Sequence, residues 1–189
     1  DDLYERLLRA AVTREERFIR LCREYFSLES LLQVLQRMIG TGLIGGKSLG
    51  MLLARAILKK VNPEWEHRLE VHDSFFVGSD VFYTYLVQND CWWLRRRHPN
   101  TSMETILSNA ALAREKMLTG HFPDDIRHQF MEMLNYFGQS PIIVRSSSLL
   151  EDNYGNAFSG KYDSVFCANQ GTPEERLAEL ISAIRTVYA

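Results

Sequence analysis

Three short stretches of this chain combine residue types that bind phosphate. The first, Gly45-Gly46-Lys47-Ser48, opens a helical pattern. Backbone N–H groups at a helix start attract anions, and glycines let a phosphate approach closely. A lysine there adds a full positive charge. The same tetrapeptide also fits a plain helix cap with a surface lysine. The second stretch, Val144-Arg145-Ser146-Ser147-Ser148, leaves the end of a β-branched run. An arginine at a strand end can meet a ligand at the sheet's edge, and its planar fork suits a phosphate. An internal carboxylate, Glu151 or Asp152, would satisfy it equally well. The third is Glu151-Asp152 followed by Ala157-Phe158-Ser159-Gly160-Lys161-Tyr162. A small-residue turn of this kind folds over a phosphate chain as a lid, or forms an ordinary hairpin.

The glycine-lysine stretch fails the test for a P-loop. That motif is G-x-x-x-x-G-K-[ST], which places its first glycine at position 41, occupied by Thr41. Gly40 and Gly42 miss by one on either side. The residues before the loop also read as helix, where a P-loop follows a strand.

The elements that must position these residues follow from periodicity. Residues 3–39 read as helix, with apolar residues at three- and four-residue steps and Arg and Glu between them, and with Ser27 or Glu29 as a point where the pattern restarts. A glycine-rich loop follows, then a helix from Lys47 to Lys60 closed by Asn62-Pro63. A strand is expected at 71–77, and Ser79-Asp80 caps a helix through Leu86. Residues 102–118 and 123–137 read as helices. Pro141-Ile142-Ile143-Val144 reads as a buried strand, 151–155 as a polar turn and 160–168 as a second strand. Thr172-Pro173-Glu174-Glu175 is a capping-box helix start. Met103, Met117, Met131 and Met133 read as core fillers.

Composition sets the class. The 189 residues are 46% hydrophobic and 24% charged, an ordinary globular balance able to bury a core without disulfides. The formal charge of -2 argues against nucleic acid as a partner. Trp92-Trp93 with Arg95-Arg96-Arg97-His98 is a small basic and aromatic cluster, better read as a helix with one tryptophan packed inward. Cys22, Cys91 and Cys167 are odd in number and widely spaced, which fits a reduced, cytoplasmic setting. No apolar run approaches membrane-spanning length, so no membrane association is expected. Both ends look cut, and the chain reads as a fragment.

Taken together and in order, the motifs resemble the ATP-binding domain of the phosphoenolpyruvate synthase (pyruvate, water dikinase) and pyruvate phosphate dikinase family. That pattern is Gly-Gly-Lys opening a helix, then a strand Val-Arg-Ser-Ser-Ala with Glu-Asp soon after, then Ser-Phe-Ala-Gly-Gln-Tyr. The likeness runs from about residue 43 to the end. Residues 1–39 form a helical extension outside it, and 40–189 would be the first lobe of the domain.

The resemblance implies an α+β fold, the N-terminal lobe of an ATP-grasp-type domain with a small sheet flanked by helices. It implies ATP as cofactor, with Lys47 and Arg145 on the triphosphate and Gly46 at the helix entry. Ser159 and Gly160 would cover the phosphates. Lys161, where the family has Gln, would add charge beside them. Ala157, Ser159 and Ser148 also depart from the family's Ser, Ala and Ala. Magnesium ligands are expected in a second lobe beyond Ala189. The phosphorylated histidine is expected in a Thr-Gly-Gly motif absent here, so none of His67, His72, His98, His121 and His128 is assigned a catalytic role. The full-length protein would then be a kinase carrying phosphate to a histidine and on to pyruvate or another acceptor, with the fragment alone inactive. The competing reading is a non-catalytic ATP-grasp-like binding module, whose N-terminal helices could serve docking or homo-oligomerisation.

Overall fold

The computed structural model describes residues 2–70, 72–95, 102–148, 152–153, 156–157 and 162–189; Arg95 and residues 152, 153, 156 and 157 are described by their backbone alone. It is mostly helical with small sheets, an α+β arrangement. The chain divides into two units, Asp1–Asp80 with Ser147–Ser159, and Val81–Ser146 with Gly160–Ala189.

In the first unit, the apolar pattern over 3–39 resolves into α1 (Asp2–Ala11), α2 (Glu16–Tyr25) and α3 (Leu28–Gln36): the expected restart falls at Ser27, and a further break separates α1 from α2. The breaks are local. Thr13 Oγ1 accepts from the Glu15 N–H at 3.2 Å, pulling the backbone out of the helix. Phe26 is extended, and Ser27 caps α3 by accepting from the Ser30 N–H. Leu8, Val12, Ile19, Cys22 and Leu31 are fully enclosed and share one core with Ile44, Leu49, Leu53 and Phe76. Each large aliphatic side chain so buried contributes about 1.5–3 kcal/mol. The helices α1–α3 are thus built into the same core as the helix that follows the glycine loop. Around the outside, Glu5 pairs with both Arg9 and Arg23, and the Tyr4 hydroxyl reaches the carbonyls of Cys22 and Phe26.

A two-residue strand, β1 (Met38–Ile39), precedes the loop and pairs in parallel with β2 (Phe76–Val77). This corrects two expectations. The loop does follow a strand, so the P-loop is excluded by glycine spacing alone. The strand expected over 71–77 is confined to 76–77, because β1 offers only two residues of partner before Gly40 (Val71 lies outside the described residues). The glycine loop leads into α4 (Gly46–Val61), and the short α5 (Trp65–Arg68) follows it. The first unit also holds the hairpin β4 (Asp152–Asn153) and β5 (Asn156–Ala157), where a polar turn was expected at 151–155.

The helix α6 (Ser79–Gln88) begins in the first unit and leads the chain into the second. There α7 (Met103–Thr119), α8 (Asp124–Phe137) and α9 (Pro173–Tyr188) accompany the antiparallel pair β3 (Ile142–Arg145) and β6 (Ser164–Cys167). Tyr85, fully buried, stacks near Phe122 at 4.5 Å and donates to the Met117 carbonyl at 2.6 Å. Thr172 and Glu175 form the expected capping box. Asn169, also buried, donates from its amide to the Gly138 and Ser140 carbonyls, and its backbone N–H goes to the Glu179 carboxylate.

Three further expectations change. The strand β3 is not buried on both faces: Ile143 is 44% exposed and its cross-strand partner Phe166 is 80% exposed. The inner face carries Ile142, Val144, Val165 and Cys167, so a period of two governs the pair. Trp92 and Trp93 sit in a 3-10 turn (Trp92–Arg95) rather than an α-helix, with Trp92 41% exposed and edge-on to Tyr83 and Trp93 half-buried. Met103, at the first turn of α7, is exposed, whereas Met117 and Met133 do fill the core.

Candidate functional site

The loop between β1 and α4 is held from below by α6. The Leu43 N–H donates to Ser79 Oγ at 3.0 Å, and the Ser79 N–H returns to the Leu43 carbonyl at 3.0 Å. The Asp80 N–H donates to the Thr41 carbonyl, and the Thr41 hydroxyl donates to the Asp80 carboxylate at 2.8 Å. On the other side the Ile44 N–H reaches the Ala11 carbonyl of α1. The loop is therefore fixed at several backbone points before α4 begins.

Gly45 is the N-cap of α4, with φ at +81°. Its carbonyl accepts the first helical bond, from Leu49 at 3.1 Å. With no side chain, Gly45 cannot cap the N–H groups that a helix start leaves unpaired. Ser147 does so instead. Its hydroxyl accepts from the Ser48 N–H at 3.2 Å and lies 3.1 Å from the Ser48 hydroxyl. A Cβ on Gly45 would fall 1.6 Å from the Ser147 carbonyl oxygen, so only glycine fits this approach. This serine was present in the Val-Arg-Ser-Ser stretch but carried no assigned role. The signal for it was a helix whose N-cap residue has no hydrogen-bonding side chain.

Of the expected phosphate ligands, Gly46 and Lys47 occupy the first two positions of α4, both half-buried, where the positive end of the helix dipole lies. Arg145 ends β3, belongs to the second unit, and is exposed opposite Ser164 on the face that also carries Ile143 and Phe166. It forms no ion pair with a described residue. The first unit thus joins the glycine loop to Ser147, while Lys47 and Arg145 fall in different units. Ser159, Gly160 and Lys161 lie outside the described residues, as does Glu151. Among the described residues no group of His, Cys, Asp or Glu is placed to hold a metal ion, and no helix is long and apolar enough to cross a membrane.

Comparison with curated proteins and with solved structures finds no match. A family model described as the pyruvate phosphate dikinase, AMP/ATP-binding domain matches residues 41–189, from the glycine loop through α9. The loop, the helix it opens and the serine that caps that helix all fall inside this match, and the chain belongs to the pyruvate phosphate dikinase AMP/ATP-binding domain family.

Proposed function

We propose that this chain is the front lobe of an ATP-grasp-type site. In the full-length kinase it would serve phosphoryl transfer from ATP to a histidine on a separate domain, on the way from pyruvate to phosphoenolpyruvate. Lys47 and the backbone at Gly46 take the nucleotide's phosphates, and Arg145 is a second phosphate ligand. The observation that supports this reading most is the start of α4. There a rigidly anchored glycine loop delivers a lysine to the positive end of a 16-residue helix, within the matched AMP/ATP-binding domain. Phosphate binding at such a helix start needs no other device. The roles proposed for this chain are binding and orientation of the triphosphate.

Calorimetric titration with ATP tests the assignment. Each charge-assisted hydrogen bond contributes about 1.5–3 kcal/mol, so Lys47→Ala and Arg145→Ala should each weaken ATP binding roughly 10- to 100-fold. Both variants should keep the wild-type circular dichroism. Wild-type affinity in either would remove that residue from the site. The chain alone should release no phosphate from ATP, and sustained release would overturn the view that it holds only part of the catalytic apparatus.

A further inference from the structure

Within the second unit, α8 and α9 leave between them a half-open groove of about 220 Å³. Leu177, Ala178 and Ile181 form its floor, and Leu177 and Ile181 are buried there. Arg127 enters from α8, and Arg185 and Glu174 from α9. Both arginines are half-buried, and neither forms an ion pair with a described residue. Arg185 lies close to the Tyr85 hydroxyl, and its Nε is buried without a hydrogen-bond partner among the described residues. Glu174 lies eleven residues before Arg185, roughly 16 Å away along the helix axis, so it does not neutralise that end of the groove.

Two guanidinium groups with no ion-pair partner among the described residues, over an apolar floor, select an anion with an apolar body. A cavity of ~150 Å³ holds benzene, so this groove accommodates one ring bearing an anionic group. We propose that the α8–α9 groove is a second ligand site, separate from the start of α4, for a small ring-bearing carboxylate or phosphate monoester. Its oxyanion is gripped by Arg127 and Arg185, and its ring lies on Leu177 and Ile181.

Arginine side-chain N–H resonances of the whole chain, titrated with benzoate, phenyl phosphate and inorganic phosphate, test this. Benzoate or phenyl phosphate should shift the Arg127 and Arg185 signals with saturation, and inorganic phosphate should do so at least tenfold more weakly. Stronger binding of phenyl phosphate than of benzoate would identify a phosphate ester as the natural class, and the reverse a carboxylate. Arg127→Gln should abolish saturation, and so should Ala178→Trp, which fills the groove and leaves both charges. Lys47→Ala should leave it unchanged. Absence of saturable shifts, persistence in Ala178→Trp, or loss in Lys47→Ala would overturn the proposal.

Discussion

Ser147 caps a helix through a residue that lies 99 positions earlier in the chain. Its hydroxyl accepts the Ser48 N–H at 3.2 Å, while its own carbonyl oxygen fills the space where any side chain on Gly45 would stand. The cap and the glycine are one device, because the serine can reach Ser48 only if residue 45 has no Cβ.

Substitution at Gly45 should therefore be severe. Gly45→Ala combines a backbone conformation that costs roughly 1–3 kcal/mol with a direct clash against main chain, so a loss above ~2 kcal/mol is expected in urea denaturation. Gly45→Asn carries its own capping group, yet it should fail equally, because φ +81° with ψ 173° is a backbone region that only glycine adopts readily. Gly50, exposed within the same helix and with open space around it, is the control. Gly50→Ala should stabilise by ~0.5–1 kcal/mol.

Ser147→Ala removes the cap without adding atoms. A lost N-cap costs about 1 kcal/mol, and the Ser48 N–H should lose protection of matching size in amide hydrogen exchange. An unchanged exchange rate at Ser48 would show that the serine contributes nothing to α4.

Acid should weaken the fold through His72. Burial, reinforced by the nearby Arg55, holds this imidazole below its ordinary pKa, and its Nδ1 is buried without a partner. The folded state keeps the ring neutral, whereas the unfolded chain protonates near pH ~6.5. The contribution is therefore complete above that pH and is lost as pH falls below it. Between about pH 7.5 and 5.5, the thermal midpoint of the wild type should drop further than that of His72→Gln. Parallel profiles would contradict this.

The thiols should be inert in the native protein. All three are buried, and burial pushes Cys22 up to about 12, Cys167 up to about 11, and Cys91 upward as well. Iodoacetamide at about pH 8 should label none of them, since only the thiolate reacts, and all three should react after denaturation. Mass spectrometry counts the labels directly.

Much of the frame was legible in the sequence because it is written locally. The α4 start, the Thr172–Glu175 capping box and the helices over 103–119 and 124–137 rest on cap residues and periodicity within a few positions. Within 3–39 the restart at Ser27 was legible from its cap chemistry, but the break at Thr13 was hidden, since the apolar steps continue across it while the backbone does not. β1 was hidden by its length of two residues, too short for an alternating pattern. The exposure of Ile143 and Phe166 was hidden because a β-branched run reads alike whether one face or both are covered. At the site, Gly45, Gly46 and Lys47 were legible as a motif. The Ser147 cap was not, since its partner lies far off in sequence and only the closed chain brings them together.

That distance has a temporal side. At ~5–20 residues per second on a ribosome, the interval between synthesis of Ser48 and of Ser147 is roughly 5–20 s. During it, α1–α4 can emerge and collapse while the first turn of α4 is still uncapped. The nascent protein thus passes through a stage in which its glycine loop is made but not locked. Its closure marks the arrival of the Ser147–Ser159 segment in the first unit.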